Sequence, residues 1–178
     1  MTESDYEAYV YDLDGTLVDL DVNWGAAARA VAAALRERGI DVGEADLWTM
    51  LELGDETGTR DVVESALAEH EREGARTSRR LPAADTLPQP VAVGVCSLNC
   101  ESAARIALEI HGLDGYVDAV VGRDSHELYK PAPEPLLETV SRLDADPGRT
   151  LFVGDSERDE RTARRAGTAF AYVSAFLD

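Results

Sequence analysis

Residues 9–17 read YVYDLDGTL. Tyr9, Val10 and Tyr11 are apolar and β-favouring, and a carboxylate-bearing turn follows at once: Asp12, Leu13, Asp14, Gly15 and Thr16. This is the pattern of a short buried strand running into a polar turn. It recurs further along the chain. Val91–Cys96 reads as a buried strand, 101–111 as a helix ended by Gly112, and Tyr116–Val121 as a strand. A helix over 134–143, with Pro133 at its first turn, leads to a strand at 150–153. A helix over 157–166, ended by Gly167, leads to a last strand at 169–173. Strands alternating with helices require right-handed crossovers and a parallel sheet covered on both faces.

The stretch between Leu17 and Arg80 breaks that alternation, and no strand is expected in it. Residues 22–38 read as a helix with Trp24, Ala27, Ala28, Val31 and Leu35 on one face, stopped at Gly39. Helices over 44–53 and 60–73 follow, the latter with Val62, Val63, Ala66, Leu67 and His70 as its apolar face. His70, Trp24 and Trp48 are expected as packed residues. Leu81–Pro90 carries three prolines and reads as a linker. The fold class is therefore α/β, a Rossmann-like parallel sheet core with a small helical block inserted after the first strand. Residues 1–16 and 86–178 are assigned to the core and 17–85 to the insertion.

The chain has 178 residues, 35 acidic and 17 basic, for a formal net charge of −18. Its apolar fraction of 44% is that of a globular protein, so the acidity does not imply disorder. Such a charge disfavours nucleic acid and anionic membranes as partners. No apolar run is long enough to span a bilayer, and the acidic start is unlike a signal peptide. Two cysteines, Cys96 and Cys100, make no disulfide framework, and a reduced cytoplasmic protein is expected. Only Lys130 among the basic residues is a lysine; the other 16 are arginines. An acidic, Arg-rich surface fits either a high-salt solvent or a GC-rich genome.

In a parallel sheet of this kind, ligands bind beyond the carboxyl ends of the strands. The residues that follow the strands are Asp12 and Asp14, then Ser97, then Gly154, Asp155 and Ser156. With Asp159, four carboxylates would share one crevice, repelling by about 4 kcal/mol per close pair at an effective dielectric near 20. A hard cation resolves that conflict, and an all-oxygen donor set favours Mg²⁺. Carboxylates, a hard metal, the ammonium of Lys130 and the hydroxyl of Ser97 together suit phosphoryl transfer with an aspartate nucleophile.

Four segments then come in order: VYDLDGTL at 10–17, VAVGVCS ending at Ser97, KPAPEPL at 130–136, and LFVGDSERD at 151–159. With them the chain resembles the haloacid dehalogenase superfamily of phosphohydrolases, in its phosphoglycolate-phosphatase-like branch. The resemblance runs from residue 9 to about 173 and hardly touches the helical insertion, which it implies is a cap. It implies a Mg²⁺-dependent phosphatase that hydrolyses a small phosphorylated metabolite through an aspartyl-phosphate. Asp12 would be the nucleophile and Asp14 the general acid and base. The Asp12 carboxylate, the Asp14 carbonyl and Asp155 would hold the metal. Asp159 would orient Lys130 or metal-bound water, and Ser97 and Lys130 would grip the phosphoryl oxygens. Thr16 would brace the turn, with Leu98 and Asn99 beside the phosphate.

By the same resemblance, Asp14 argues against dehalogenation, and the absence of a histidine in residues 17–20 argues against a sugar phosphomutase. A phosphotransferase and a non-catalytic regulatory relative stand as alternatives. Three features depart from the family. Leu98 stands where relatives often carry Asn, and the segment before the second core strand is broken by prolines. The separation of 85 residues between Asp12 and Ser97 also implies a reduced cap. Arg76, Arg79 and Arg80 either read an anionic leaving group or form a solvated hinge.

Overall fold

The computed structural model describes residues 6–178. The first five residues of the expected core lie outside the described residues. β1 (Ala8–Tyr11) runs through the Asp12 turn into β2 (Val18–Asp19), and three helices follow. They are α1 (Trp24–Glu37), α2 (Leu47–Thr57) and α3 (Arg60–Arg76). β3 (Arg79–Arg80) closes this block, and β4 (Ala92–Cys96) and α4 (Glu101–Ile110) resume the alternation. Then come β5 (Ala119–Val121), α5 (Glu134–Arg142), β6 (Thr150–Gly154), α6 (Glu157–Ala166), β7 (Ala169–Tyr172) and the short α7 (Val173–Phe176).

Five strands form one parallel sheet in the order β5-β4-β1-β6-β7. All four residues of β1 are buried because the sheet is covered on both faces. Tyr9 and Tyr11 belong to a cluster with Val95, Val153 and Ala104 of α4. Ala8 and Val10 belong to a second cluster with Phe152, Leu136 and Val140 of α5, and Ala163 of α6. A third cluster, with Val31, Leu35, Met50, Val63 and Leu67, lies within the helical block. That block is also seated on the sheet layer, since Ala68 and Ala75 of α3 join the first cluster.

In register, Tyr11 lies opposite both Val95 and Val153. The turns after β1, β4 and β6 therefore leave the sheet at one level. The chain departs from β1 toward β4 on one side and later returns to β6 on the other. This reversal is the topological switch point where such sheets open a crevice.

The structure corrects several boundaries. Val18–Asp19 and Arg79–Arg80 pair as a two-residue antiparallel ribbon where no strand was expected. Two residues are too short for any periodicity to register. Residue 44 does not start α2; the Asp46 side chain accepts from the Thr49 amide at 2.8 Å and caps it, and Gly58 at φ 68° ends it. The proline-rich 81–90 segment is more than a linker: Pro82–Thr86 is a 3₁₀ turn whose Ala83 and Ala84 are buried. β5 begins only at Ala119, because Asp114–Tyr116 forms a 3₁₀ turn ahead of it. Trp24 and Trp48, expected as packed residues, are 42% and 40% exposed.

Candidate active site

β1 delivers Asp12 to the sheet edge, with its amide bonded to the Val153 carbonyl of β6 at 2.9 Å. Lys130 comes from the segment ahead of α5 and is buried. Its Nζ donates to Asp12 Oδ1 at 2.9 Å and to Asp159 Oδ1 at 2.6 Å, and it lies 5.4 Å from the ring centre of Phe152. An ammonium has three hydrogens, so one is left for a further acceptor. Burial works against this charge, but Asp12 and then Asp159 outweigh it and hold the Lys130 pKa above its ordinary value.

Asp159 is committed on both oxygens. Oδ2 accepts from Ser156 Oγ at 2.6 Å and from the Ser156 amide at 3.2 Å, while Ser156 Oγ accepts from the Asp159 amide. This reciprocal cap starts α6 and explains why the carboxylate sits on the first turn rather than in solvent. Burial pushes its pKa up, but the Lys130 charge overrides this and leaves it lowered. Burial also raises Asp12, to about 7, against the pull of Lys130 and with Asp159 adding to the rise.

Carboxylate oxygens of Asp12, Asp155 and Asp159 all lie within 4.8 Å of one another. Among the described residues Lys130 is the only cation paired to them, so three carboxylates share one positive charge. Asp155 is raised by burial first and Asp159 next, the signature of a carboxylate crowded by its own kind. The donor set is all oxygen, and the excess charge suits a hard dication. Gly15 packs against it at φ 83°, and a Cβ there would collide with the Asp155 carboxylate. Only glycine lets the turn pass so close.

Asp14 lies on the cavity side of the same turn. Its Oδ1 accepts from the Leu20 amide at 2.8 Å, so the entry to the helical block orients it. Burial raises it to about 6, opposed by that amide and reinforced by Asp19, Asp155 and Glu71. Thr16 braces the turn through its backbone, its amide bonding the Leu13 carbonyl at 3.2 Å, while its buried hydroxyl has no hydrogen-bond partner. Ser97 is buried after β4; its hydroxyl donates to Asn99 Oδ1 at 3.1 Å and accepts the Asn99 amide at 3.0 Å. Leu98 and Asn99 reach the cavity wall, whereas Ser97 stands behind it.

The cavity, about 470 Å³, opens between the strand ends and the helical block and is bordered by Asp12, Asp14 and Asp155. Sequence reasoning missed the ion-pair network along its wall. Arg123, just beyond β5, is 2% exposed and meets two glutamates of α3. NH1 donates to Glu71 Oε1 and the Leu98 carbonyl, both at 2.7 Å; NH2 donates to Glu64 Oε2 at 2.7 Å and Glu71 Oε2 at 3.0 Å; Nε donates to Glu64. Burial opposes the charge, yet Glu71 and Glu64 hold its pKa raised. A signal was available: Glu71 falls on the buried stripe of α3 with Leu67, Ala68 and Ala75. An unpaired acid does not survive there.

Arg79 pairs with Asp19 at 2.7 Å and Arg80 with Asp85 at 2.9 Å, so both brace the ribbon at the base of the block. Neither they nor Arg76 line the cavity. Burial pushes the Cys96 thiol up to about 12 and the Cys100 thiol to about 11, so both are structural.

Haloacid dehalogenase-like hydrolases, as a family, match residues 6–167 of the chain. The chain belongs to this family. Phosphoglycolate phosphatase of Aquifex aeolicus is 31% identical to this hydrolase, over 91% of the chain and 82% of that protein. A HAD-superfamily hydrolase of subfamily IA, variant 1, from Geobacter sulfurreducens superposes with a TM-score of 0.62 at 28% identity, over 93% of this chain and 88% of its own. A Lactobacillus plantarum structure assigned as a phosphoglycolate phosphatase gives 0.69 at 22% identity, over 97% and 88%, which shows the fold alone.

Proposed function

We propose that this hydrolase is a Mg²⁺-dependent phosphatase that cleaves a small organic phosphomonoester through an aspartyl-phosphate on Asp12. The observation that carries the reading is Lys130, buried between the carboxylates of Asp12 and Asp159, with Asp12 itself bordering the cavity. A lone ammonium so placed pulls Asp12 toward its ionised, nucleophilic form against the cost of burial, and its third hydrogen would serve a phosphoryl oxygen. The Asp12 and Asp155 carboxylates and the Asp14 carbonyl would hold Mg²⁺. Bound there, the ion would neutralise charge on the transferring phosphoryl group.

Asp12 attacks phosphorus as the ester P–O bond breaks, and Asp14 gives its proton to the departing alcohol. Asp14 then takes a proton from water as that water attacks the aspartyl-phosphate. The acyl-phosphate P–O bond breaks, and Asp12 and inorganic phosphate are restored. Proton transfer of this kind contributes about 10²- to 10⁴-fold. Asp159 acts as a positioning residue for Lys130. Ser97 sets the loop conformation that brings Leu98 and Asn99 to the wall, so the phosphate meets that loop rather than the serine hydroxyl. The helical block serves as the cap that excludes water, in a reduced cytoplasmic protein.

The test is phosphate release from a panel of phosphomonoesters with added Mg²⁺. Asp12→Asn is expected to abolish turnover, and EDTA is expected to abolish it reversibly, with recovery on adding back Mg²⁺. Turnover that survives either treatment would sink the reading. The relatives named phosphoglycolate phosphatase make phosphoglycolate the first substrate to try.

A further inference from the structure

The cavity wall opposite the carboxylates bears on the alcohol half of the substrate. It is built from Trp24, Leu47, Trp48, Leu51, Leu67 and Leu98. Asp46 and Glu71 add negative charge, and among the described residues lining the cavity Arg123 is the only cation. Guanidinium has five N–H donors. All five of Arg123 are used, by Glu64, Glu71 and the Leu98 carbonyl. The Glu64–Arg123–Glu71 group is net negative and has nothing to give a carboxylate or a second phosphate. Arg158 is stacked 4.2 Å over the Trp48 ring and does not line the cavity.

We propose that the leaving group of the natural substrate is an uncharged apolar or aromatic alcohol, held against Trp24 and Trp48. This rests on the phosphatase reading above and names its substrate class. An anionic leaving group such as glycolate would meet Asp14, Asp46 and Glu71, with no unpaired cation among the described residues that line the cavity. A buried charge without a partner is rejected far more strongly than a missing methylene. The two indoles, about 40% exposed and lining the same cavity as the reacting carboxylates, supply the surface that an aromatic ring would cover.

The experiment compares kcat/KM for benzyl phosphate with kcat/KM for phosphoglycolate. Both leave as alkyl alcohols, so the ratio reads the pocket rather than intrinsic reactivity. Benzyl phosphate is expected to lead by about 10- to 100-fold. Trp48→Arg, a change at a half-exposed position, is expected to narrow or invert that ratio by giving the wall an unpaired cation. Trp24 and Trp48 are the chain's two tryptophans, so binding of benzylphosphonate, which cannot be hydrolysed, should change the intrinsic emission. Phosphoglycolate turned over as well as benzyl phosphate, or better, overturns this inference and leaves the phosphatase standing. An unchanged ratio in Trp48→Arg, or silent emission with benzylphosphonate, also overturns it. Phosphate released from neither ester, with Asp12→Asn indistinguishable from the parent, overturns both.

Discussion

Lys130 occupies a place that the chain's other cations could not fill. Its Nζ lies within 3 Å of two carboxylates and is walled in by Phe152. An ammonium is compact and directs its hydrogens tetrahedrally, whereas a guanidinium is a flat fork that needs room on both edges. In a chain that uses arginine at 16 of 17 basic positions, the exception stands where those shapes differ most. Lys130→Arg is expected to keep the charge and lose the geometry. Displacing the Asp12 oxygen by a fraction of its hydrogen-bond length should lower kcat by about 100-fold or more, with KM changed far less. Steady-state kinetics beside a thermal melt of the variant check this. A variant with parental kcat would show that only the charge matters.

At the scale of elements, Arg123 ties the helical block to the sheet. It follows β5, yet its partners Glu64 and Glu71 lie two turns apart on α3. Removing the cation alone leaves two carboxylates facing each other in a largely buried place. Breaking such a pair costs about 3–5 kcal/mol, and for a domain of this size that lowers Tm by on the order of 10 °C. Arg123→Met should show that drop, and adding Glu64→Gln and Glu71→Gln should return much of it. A triple variant as unstable as Arg123→Met would refute the pairing argument. The β-α alternation was legible from apolar runs and turn residues, as were Asp12, Asp14, Asp155 and Asp159, because each follows a strand or opens a helix; Lys130 was legible as the one lysine, in the KPAPEPL segment. Arg123 was not, since an arginine after a strand reads the same in sequence whether it is solvated or buried, and its partners lie about 50 to 60 residues away on another element. Neither was the β2-β3 ribbon, whose two-residue strands carry no period, nor the place of Trp24 and Trp48. On a helix, an indole facing a cavity and one facing a core give the same apolar stripe.

Across the whole molecule, the net charge of −18 acquires two parts. Some of the acids are internal and share a cation: Asp12 and Asp159 share Lys130, Glu64 and Glu71 share Arg123. Their energies are short-range and lie out of reach of mobile ions. The rest of the excess is on the surface, spread over the molecule, and it opposes compactness by self-repulsion. The two parts must respond differently to salt. Raising KCl from about 0.05 M to about 1 M shortens the Debye length from over 10 Å to about 3 Å. Surface repulsion then fades while the buried pairs keep their strength. Stability is therefore expected to rise with KCl, by on the order of 1–2 kcal/mol or several degrees in Tm, and activity should persist into molar salt. Differential scanning fluorimetry across a KCl series checks this, with KCl chosen because sulfate would stabilise any protein by exclusion. A Tm that falls steadily with KCl would mean that exposed pairs such as Arg79–Asp19 outweigh the surface repulsion. Arg123→Met should steepen the rise only slightly, since the repulsion it uncovers sits where salt does not enter.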